Sequence, residues 1–506
     1  MRYPQLTVLD TSRQMTEVFK GYNHNLRINS GEFYDMKNMT SDQYPVLCPR
    51  GKRGVYTTPE NPQGLIAKDT LCYVDGTDFV IGQNHVDMGL SILAQDCPKK
   101  LVSMGAYVII LPDKKYINTA DPTDFGNIEA EFTTVAPVSF SLSKADGADY
   151  EAEFTQSDEP TEPGNMALWI DTSSVPHTLK QWSETSGMWV SIATTYVKIT
   201  SAGIGAAFEQ YDGINISGLK DTVLYDNVTG NEIENTSELA ALDGTAVVWA
   251  KDDDWIVVVG MLDVTTAISN EITVSRKMPN MDFVIESENR LWGCRYGVAL
   301  NGEVVNELYS CKLGDFKNWN CFMGLSTDSY AASVGTDGRF TGAITHLGYP
   351  LFFKENFVHK VYGNYPANFQ IQTTACRGVE RGSENSLAIV NETLFYKARS
   401  GVCAFDGSLP TEVSYALGGE AYSDAVGGAH GNKYYISMMD NKFKWHLFVY
   451  DTAKGMWHKE DDLRVKCFCS CRGDMYAIDV NTNKIITMLG SGTQDTEGVE
   501  WMVETG

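Results

Sequence analysis

Residues Leu101 to Thr119 run LVSMGAYVIILPDKKYINT. An apolar strand (LVSM) meets a Gly105-Ala106 turn, a second strand (YVIIL) meets a Pro112-Asp113-Lys114 turn, and a third strand (KYINT) follows. The apolar runs are too short for helices, and the turns carry the residues that tight hairpins demand. The same grammar recurs. Ile344 to Gly363 gives ITHL, LFFK and FVHKVYG, and Leu387 to Phe405 gives LAIV, LFYK and GVCAF. Residues 425–450 give AVGGAH, KYYISMM and WHLFVY, and residues 465–489 give VKCFCS, MYAI and KIITML. Leu65 to Ile81 and Phe283 to Leu313 follow it more loosely.

Repeat starts at 65, 101, 283, 344, 387, 425 and 465 are separated by 36, 182, 61, 43, 38 and 40 residues. Setting aside residues 137–275 brings the outlying step down to 43. A period of about 40 with three or four strands per unit is the signature of β-propeller blades. The expected fold is therefore all-β: a β-propeller of about seven blades, within limits of six and eight, with inserted small β domains. Residues 1–136 hold a closing segment and the first blades, 137–217 and 218–275 two inserted β domains divided near Gly218, and 276–506 the remaining blades and a C-terminal tail. The ring needs a latch. Residues 1–60, with strand-like NLRINSGEF at Asn25 to Phe33, are expected to donate a strand to the last blade.

Asp124-Phe125-Gly126-Asn127 leading to Phe132 parallels Asp315-Phe316-Lys317-Asn318 leading to Phe322, each where a fourth, outer strand should start. Trp457 holds a similar place, and these aromatics are expected to pack between blades. Helix is scarce, with one capped start at NTSELAAL, residues 235–242.

Composition excludes several classes. At 43% hydrophobic and 21% charged the chain has material for a core and is not a disordered polymer. A net charge of −25 repels phosphate, which argues against tight wrapping of nucleic acid and suits a passage through which it slides. MRYPQLTVLDTSRQ has no apolar stretch of a secretory leader, and the longest apolar run, Trp255 to Leu262, cannot span a bilayer. Eleven cysteines with no CxxC pair predict free thiols and a reducing compartment, with Cys467, Cys469 and Cys471 on one face of a strand.

No catalytic, cofactor or metal constellation is legible. GxxxxGK[ST], GxGxxG, HExxH and GxSxG are all missing. Ser141 to Lys144 matches SxxK without its companion motifs, and the eight histidines show no metal-ligand spacing. Paired acids of a propeller glycosidase would have candidates in Glu286 and Glu288, Asp461 and Asp462, and Asp252-Asp253-Asp254. The last run also fits a hairpin tip before Trp255. One basic island, Arg50, Lys52 and Arg53, is a candidate contact for DNA phosphate or for an acidic patch on a neighbouring subunit.

The opening segment, GYNHNLRINSGEFYDMKNMTSDQYPVLCPRGKR at Gly21 to Arg53, resembles the amino-terminal stretch of stabilization proteins of tailed-bacteriophage virions. These are similar to the packaged-DNA stabilization and tail-hub (nozzle) proteins of short-tailed phages. LVSMGAYVIILPDKKYIN and the junction ITVSRKMPNMDFV at Ile272 to Val284 share the look, and the likeness covers roughly residues 1–130 and 272–490. The resemblance implies a non-enzymatic structural protein without cofactors. It implies a homo-oligomeric ring, a hexamer or higher, that extends the head-to-tail channel, retains the genome and later releases it. Its partners would be further copies of itself, the portal or adaptor, other tail proteins and DNA passing without sequence-specific binding. It would be made in the host cytoplasm and reside in the phage tail, with no membrane segment. The insertion, notably LWIDTSSVPHTLKQW, resembles accessory β modules of tail proteins and opens a second reading: a distal adhesin that grips host glycans through Trp169, Trp182 and Trp189.

Overall fold

The computed structural model describes residues 17–95, 97–220, 224–225, 232–233, 237–298, 302–490 and 499–505; the leader reading at residues 1–14 lies outside them. Six four-stranded meander sheets and a seventh whose fourth strand comes from the opening segment recur along the described chain, the repeating element of a β-propeller. Their first strands are Pro62–Ala67, Lys100–Met104, Phe283–Ser287, Phe340–His346, Ala388–Val390, Tyr422–His430 and Val465–Cys471. Each falls at an expected repeat start.

The chain forms two compact units. The first comprises Met1–Leu101, Gly338–Lys360 and Thr373–Gly506; the second comprises Val102–Asp337 and Val361–Gln372. In the first unit, blades pack face to face in chain order. Leu351, Phe353 and Val358 of the fourth blade meet Leu394, Tyr396 and Phe405 of the fifth. Phe395 and Val402 of the fifth meet Tyr434, Ile436 and Phe448 of the sixth. The sixth blade's Tyr435, Leu447 and Val449 meet Met475 and Ala477 of the seventh. Finally Cys471, Ile478 and Ile485 of the seventh pack on Leu71, Tyr73 and Val80 of the first blade. This explains why inner strands such as Lys433–Asp440 are apolar on consecutive residues: both faces are covered. Each fully buried Leu, Ile or Phe contributes about 1.5–3 kcal/mol. In the second unit the same packing joins Val102, Met104 and Ile109 to Val284, Leu291 and Trp319.

The last blade is completed from the opening segment, but by a different stretch than expected. Gly54–Thr57 pairs antiparallel with Ile485–Thr487. In Asn25 to Phe33 only Glu32–Phe33 is extended, parallel to Gly21–Tyr22. The Glu32 carboxylate accepts the Asn29 amide N–H and the Asn23 side-chain N–H, both at 2.7 Å, and folds this stretch into a polar turn. The opening segment instead lies along the sixth blade's outer strand, Met456–Lys459, burying Tyr22, Met36 and Met39 beside Phe448 and Trp457. Gly21 (φ +94°) is required here, since a Cβ would sit 2.4 Å from the Trp457 carbonyl oxygen.

Phe125–Asn127 and Met456–Lys459 are outer strands as expected. Asp315–Asn318 is not. Its Asp315 carboxylate accepts the Lys317 N–H and the Asn318 side-chain N–H, closing a turn, and Tyr330–Ser333 supplies the fourth strand. Phe316 and Trp457 do pack in inter-blade cores, whereas Phe322 is 53% exposed.

The insertion does not divide near Gly218. Tyr196–Thr200 pairs with Trp255–Val259, and Gly213–Ser217 lies between Gly244–Val247 and Thr273–Arg276. The physical reason is one shared core, in which Ile199, Ile214 and Ile216 meet Ile256, Val258 and Val274; neither half could cover its own apolar face. A separate sheet (Phe154–Gln156, Leu168–Asp171, Thr178–Ser183 and Met188–Ser191) carries a small core at Leu142, Ile170 and Leu179. The helix spans Ser237–Ala241; Asn235 and Thr236 lie outside the described residues. Ala130–Thr133 pairs with Thr273–Arg276, so the chain leaves and re-enters the blades side by side.

A buried charge fixes that junction. Arg276 donates to the Asp212 carboxylate and to the Ile128 carbonyl, while the Asn318 amide donates to Asp212 at 2.8 Å and accepts the Gly213 N–H at 2.8 Å. A Cβ on Gly213 would stand 2.5 Å from the Asn320 carbonyl carbon, so insertion and third blade meet backbone to backbone. Arg276→Ala strands the Asp212 charge and should lower the unfolding free energy by about 3–5 kcal/mol. Urea unfolding followed by tryptophan fluorescence checks this, with an unshifted midpoint as the contrary result.

Candidate functional site

The basic island is the centre of the latch. Arg50 and Arg53 leave the strand Cys48–Pro49 and the approach to Gly54–Thr57, and both side chains turn inward, at 11% and 10% exposure. Arg53 donates to Glu460 at 2.7 Å and to Asp461 at 2.5 Å. Arg50 donates to Asp461 at 3.1 Å and to the Asn38 side chain at 2.9 Å. Two cations thus meet two carboxylates just past the sixth blade's outer strand. Burial pushes the Asp461 carboxyl up, but Arg53, Arg50 and the Leu463 N–H outweigh it and hold the group below the usual carboxylate range. Arg50 and Arg53 are therefore committed within this chain, not presented to DNA or to a neighbouring subunit. Lys52, between them, is half-buried and has interactions of its own.

Above the latch lies a polar recess of about 420 Å³, lined among others by Thr40, Asp42, Arg50, Lys433, Asp451 and Glu460. Its groups are spent on one another. Ser41 donates to Asp451 at 2.6 Å, and Lys433 donates to Thr40 at 2.9 Å and to Asp42 at 2.5 Å. Chemically the recess is a network of ion pairs that ties the opening segment to the sixth blade.

The remaining candidates are dispersed. Glu286 lies in the strand Phe283–Ser287 and accepts the Asn289 N–H at 2.9 Å, while Glu288 occupies the following exposed turn at φ 51°. Asp461 belongs to the latch. Asp253 and Asp254 form a two-residue hairpin tip between Asp252 and Trp255, with Asp254 accepting the Gly203 N–H at 2.8 Å. Ser141 donates to Asp149 at 2.7 Å, on strand Val138–Ser143. All eleven cysteines are free thiols; burial first, then the neighbouring Cys467, Cys471 and Cys72, pushes the Cys469 thiol up to about 12.

The tryptophans form a cluster among themselves. Trp169 is 3% exposed, donates to the Gln156 carbonyl at 2.9 Å and lies under the Lys180 ammonium. Trp189 packs edge-on at 5.4 Å from Trp169 and 5.6 Å from Trp182. Trp169 is closed to a sugar, because Lys180 and Trp189 cover its ring; Trp182 and Trp189 are half-buried beside it. Sequence reasoning had a signal for this in the alternation of LWID and TLKQWS, which puts these rings on one face.

No protein-family model matches the chain, and no curated protein matches it. Solved structures that are similar include apo AztD from Citrobacter koseri, at 10% identity and TM-score 0.31, covering 88% of this chain and 94% of that one. BamB from Moraxella catarrhalis aligns at 8% identity and TM-score 0.27 over 80% of this chain and 97% of its own, and U3-55K at 7% and 0.27 over 61% and 88%. Likeness at this level says nothing of activity, ligand or assembly. Among the described residues, no helix is long and apolar enough to cross a membrane.

Two measurements bear on this region. Arg53→Ala leaves two buried carboxylates with one cation, and should cost about 3–5 kcal/mol in urea unfolding. The second concerns protons. His458, in the sixth blade's outer strand, is pulled down to about 3 by burial and then by Lys433, and His359 to about 4 by burial and then by Lys354. Both histidines stay neutral in the native state while the unfolded chain protonates near 6.5. Stability is then whole above pH 6.5 and is lost as the pH falls toward 4 and 3, at up to about 1.4 kcal/mol per pH unit per histidine. His458→Leu should flatten that slope between pH 6.5 and 4.5; a slope equal to wild type would contradict the assignment.

Proposed function

We propose that this chain is a non-enzymatic structural protein of a tailed-bacteriophage virion. It would assemble as a homo-oligomeric ring, as a tail hub, nozzle or head-to-tail stabilization protein, that extends the DNA channel, retains the genome and lets it leave. The observation that carries the proposal is the role of the opening segment. The Gly21–Arg53 stretch, which bears the family resemblance, is the part that binds the sixth blade and positions the seventh blade's closing strand. A likeness concentrated on the closing device is what a shared architecture would preserve.

Three further features support the reading. The blades pack through large aromatic cores. The acidic groups singled out in the sequence sit in strands, turns and the ion pairs of the latch, and an excess of 25 negative charges disfavours adhesion of DNA to the protein. The glycan-binding alternative loses Trp169, which is buried beneath Lys180 and Trp189.

Gold-labelled antibody against this chain should decorate virions along the tail axis or at the head-to-tail junction, in several copies per particle. Label confined to the distal ends of fibres, or particles that lack the chain, would overturn the proposal.

A further inference from the structure

We propose that His177, Glu238 and Asp263 form a binding site for one divalent transition-metal ion, with zinc the ion that suits their donors best. The three come from separate parts of the insertion. His177 precedes the strand Thr178–Ser183, Glu238 is in the helix Ser237–Ala241, and Asp263 follows the strand Trp255–Val259. Their ligand atoms all lie within 4.8 Å of one another.

The evidence for a ligand is a buried carboxylate oxygen without a partner. The Glu238 side chain is 3% exposed. Its Oε1 accepts the His177 backbone N–H at 2.8 Å, but its Oε2 has no hydrogen-bond partner. His177 Nδ1 stands 2.9 Å from Glu238 Oε1 and 3.9 Å from Asp263 Oδ2, yet it is a buried nitrogen with no hydrogen bond of its own. The ring is close to the carboxylate without the alignment of an N–H donor. A buried carboxylate oxygen left this way costs free energy that a cation would recover.

The dimensions suit an ion. Zinc holds imidazole nitrogen and carboxylate oxygen at about 2.0–2.2 Å, which in a tetrahedral site sets ligand atoms about 3.4 Å apart. The two separations from His177 Nδ1, 2.9 Å to Glu238 and 3.9 Å to Asp263, bracket that value. Imidazole with two carboxylates selects zinc and its neighbours over calcium or magnesium, which prefer oxygen alone. Three protein ligands leave one position for water, and the partial exposure of His177 (17%) and Asp263 (25%) gives the ion a way in. Once bound, it ties the tryptophan-bearing sheet to the helix and to the main inserted sheet.

The test uses the full chain, stripped with a chelator and titrated with Co²⁺ as the probe, then with Zn²⁺. One equivalent of Co²⁺ should give the visible bands of a low-coordinate nitrogen and oxygen site. No thiolate charge-transfer band should appear, Zn²⁺ should displace the probe, and excess Mg²⁺ should not. Asp263→Asn and His177→Gln should each weaken binding at least about tenfold with unchanged circular dichroism. Asp263 is the most exposed of the three, so its variant decides the matter if Glu238→Gln does not fold. Absence of binding, a thiolate spectrum that assigns the ion to cysteines, or affinity untouched by both variants would overturn the site.

Discussion

A four-stranded sheet whose inner strands are apolar on both faces cannot stand alone in water. Strands such as Tyr107–Leu111 and Lys433–Asp440 bury consecutive residues, so each blade needs a neighbour on either side. Within the first unit that need sets the packing order, fourth blade on fifth, fifth on sixth, sixth on seventh and seventh on first. It also makes closure indispensable, because an uncovered last blade would expose both an apolar face and a strand edge. The opening segment meets the demand twice. Gly54–Thr57 completes the seventh blade, and the stretch before it covers the outer strand of the sixth.

The latch holds by charge where the blades hold by apolar area. Arg50, Arg53, Glu460 and Asp461 are all largely withdrawn from solvent, and such a group is stable only while every member is present. The junction at Arg276, Asp212 and Asn318 works in the same way for the insertion. The inserted sheets bring their own core, so the excursion is carried without disturbing blade packing, and polar groups fix how it leaves and returns.

This division matters for the function proposed. A conduit that must hold against a packed genome needs stiffness, closure and little affinity for phosphate. The blades, the latch and the acidic balance bear on these in turn. The insertion, with its tryptophan cluster and its unmet carboxylate, is the part whose chemistry is not spent on holding blades together.

Local rules carried the reading of the blades a long way. Strand length, turn residues and a period near 40 placed every blade's first strand, because hairpin formation depends on neighbours in sequence. The same logic found the Asp253-Asp254 tip and the helix at Ser237. It failed where a side chain's partner is remote. The turns at Asn29 and Asp315 look extended until their carboxylates are seen to bond backward. The basic island looks like a DNA contact until Glu460 and Asp461, more than 400 residues away, are seen beside it. That the insertion is continuous across Gly218 was likewise invisible, since a core shared by interleaved strands leaves no mark along the chain. Thus the sequence by itself determined the strands, the turns and the repeat, which are governed by contacts within a few residues. Only the tertiary structure decided which charges are buried together, which strand closes the last blade, and that His177, Glu238 and Asp263 meet. Those depend on distances that no local spacing encodes.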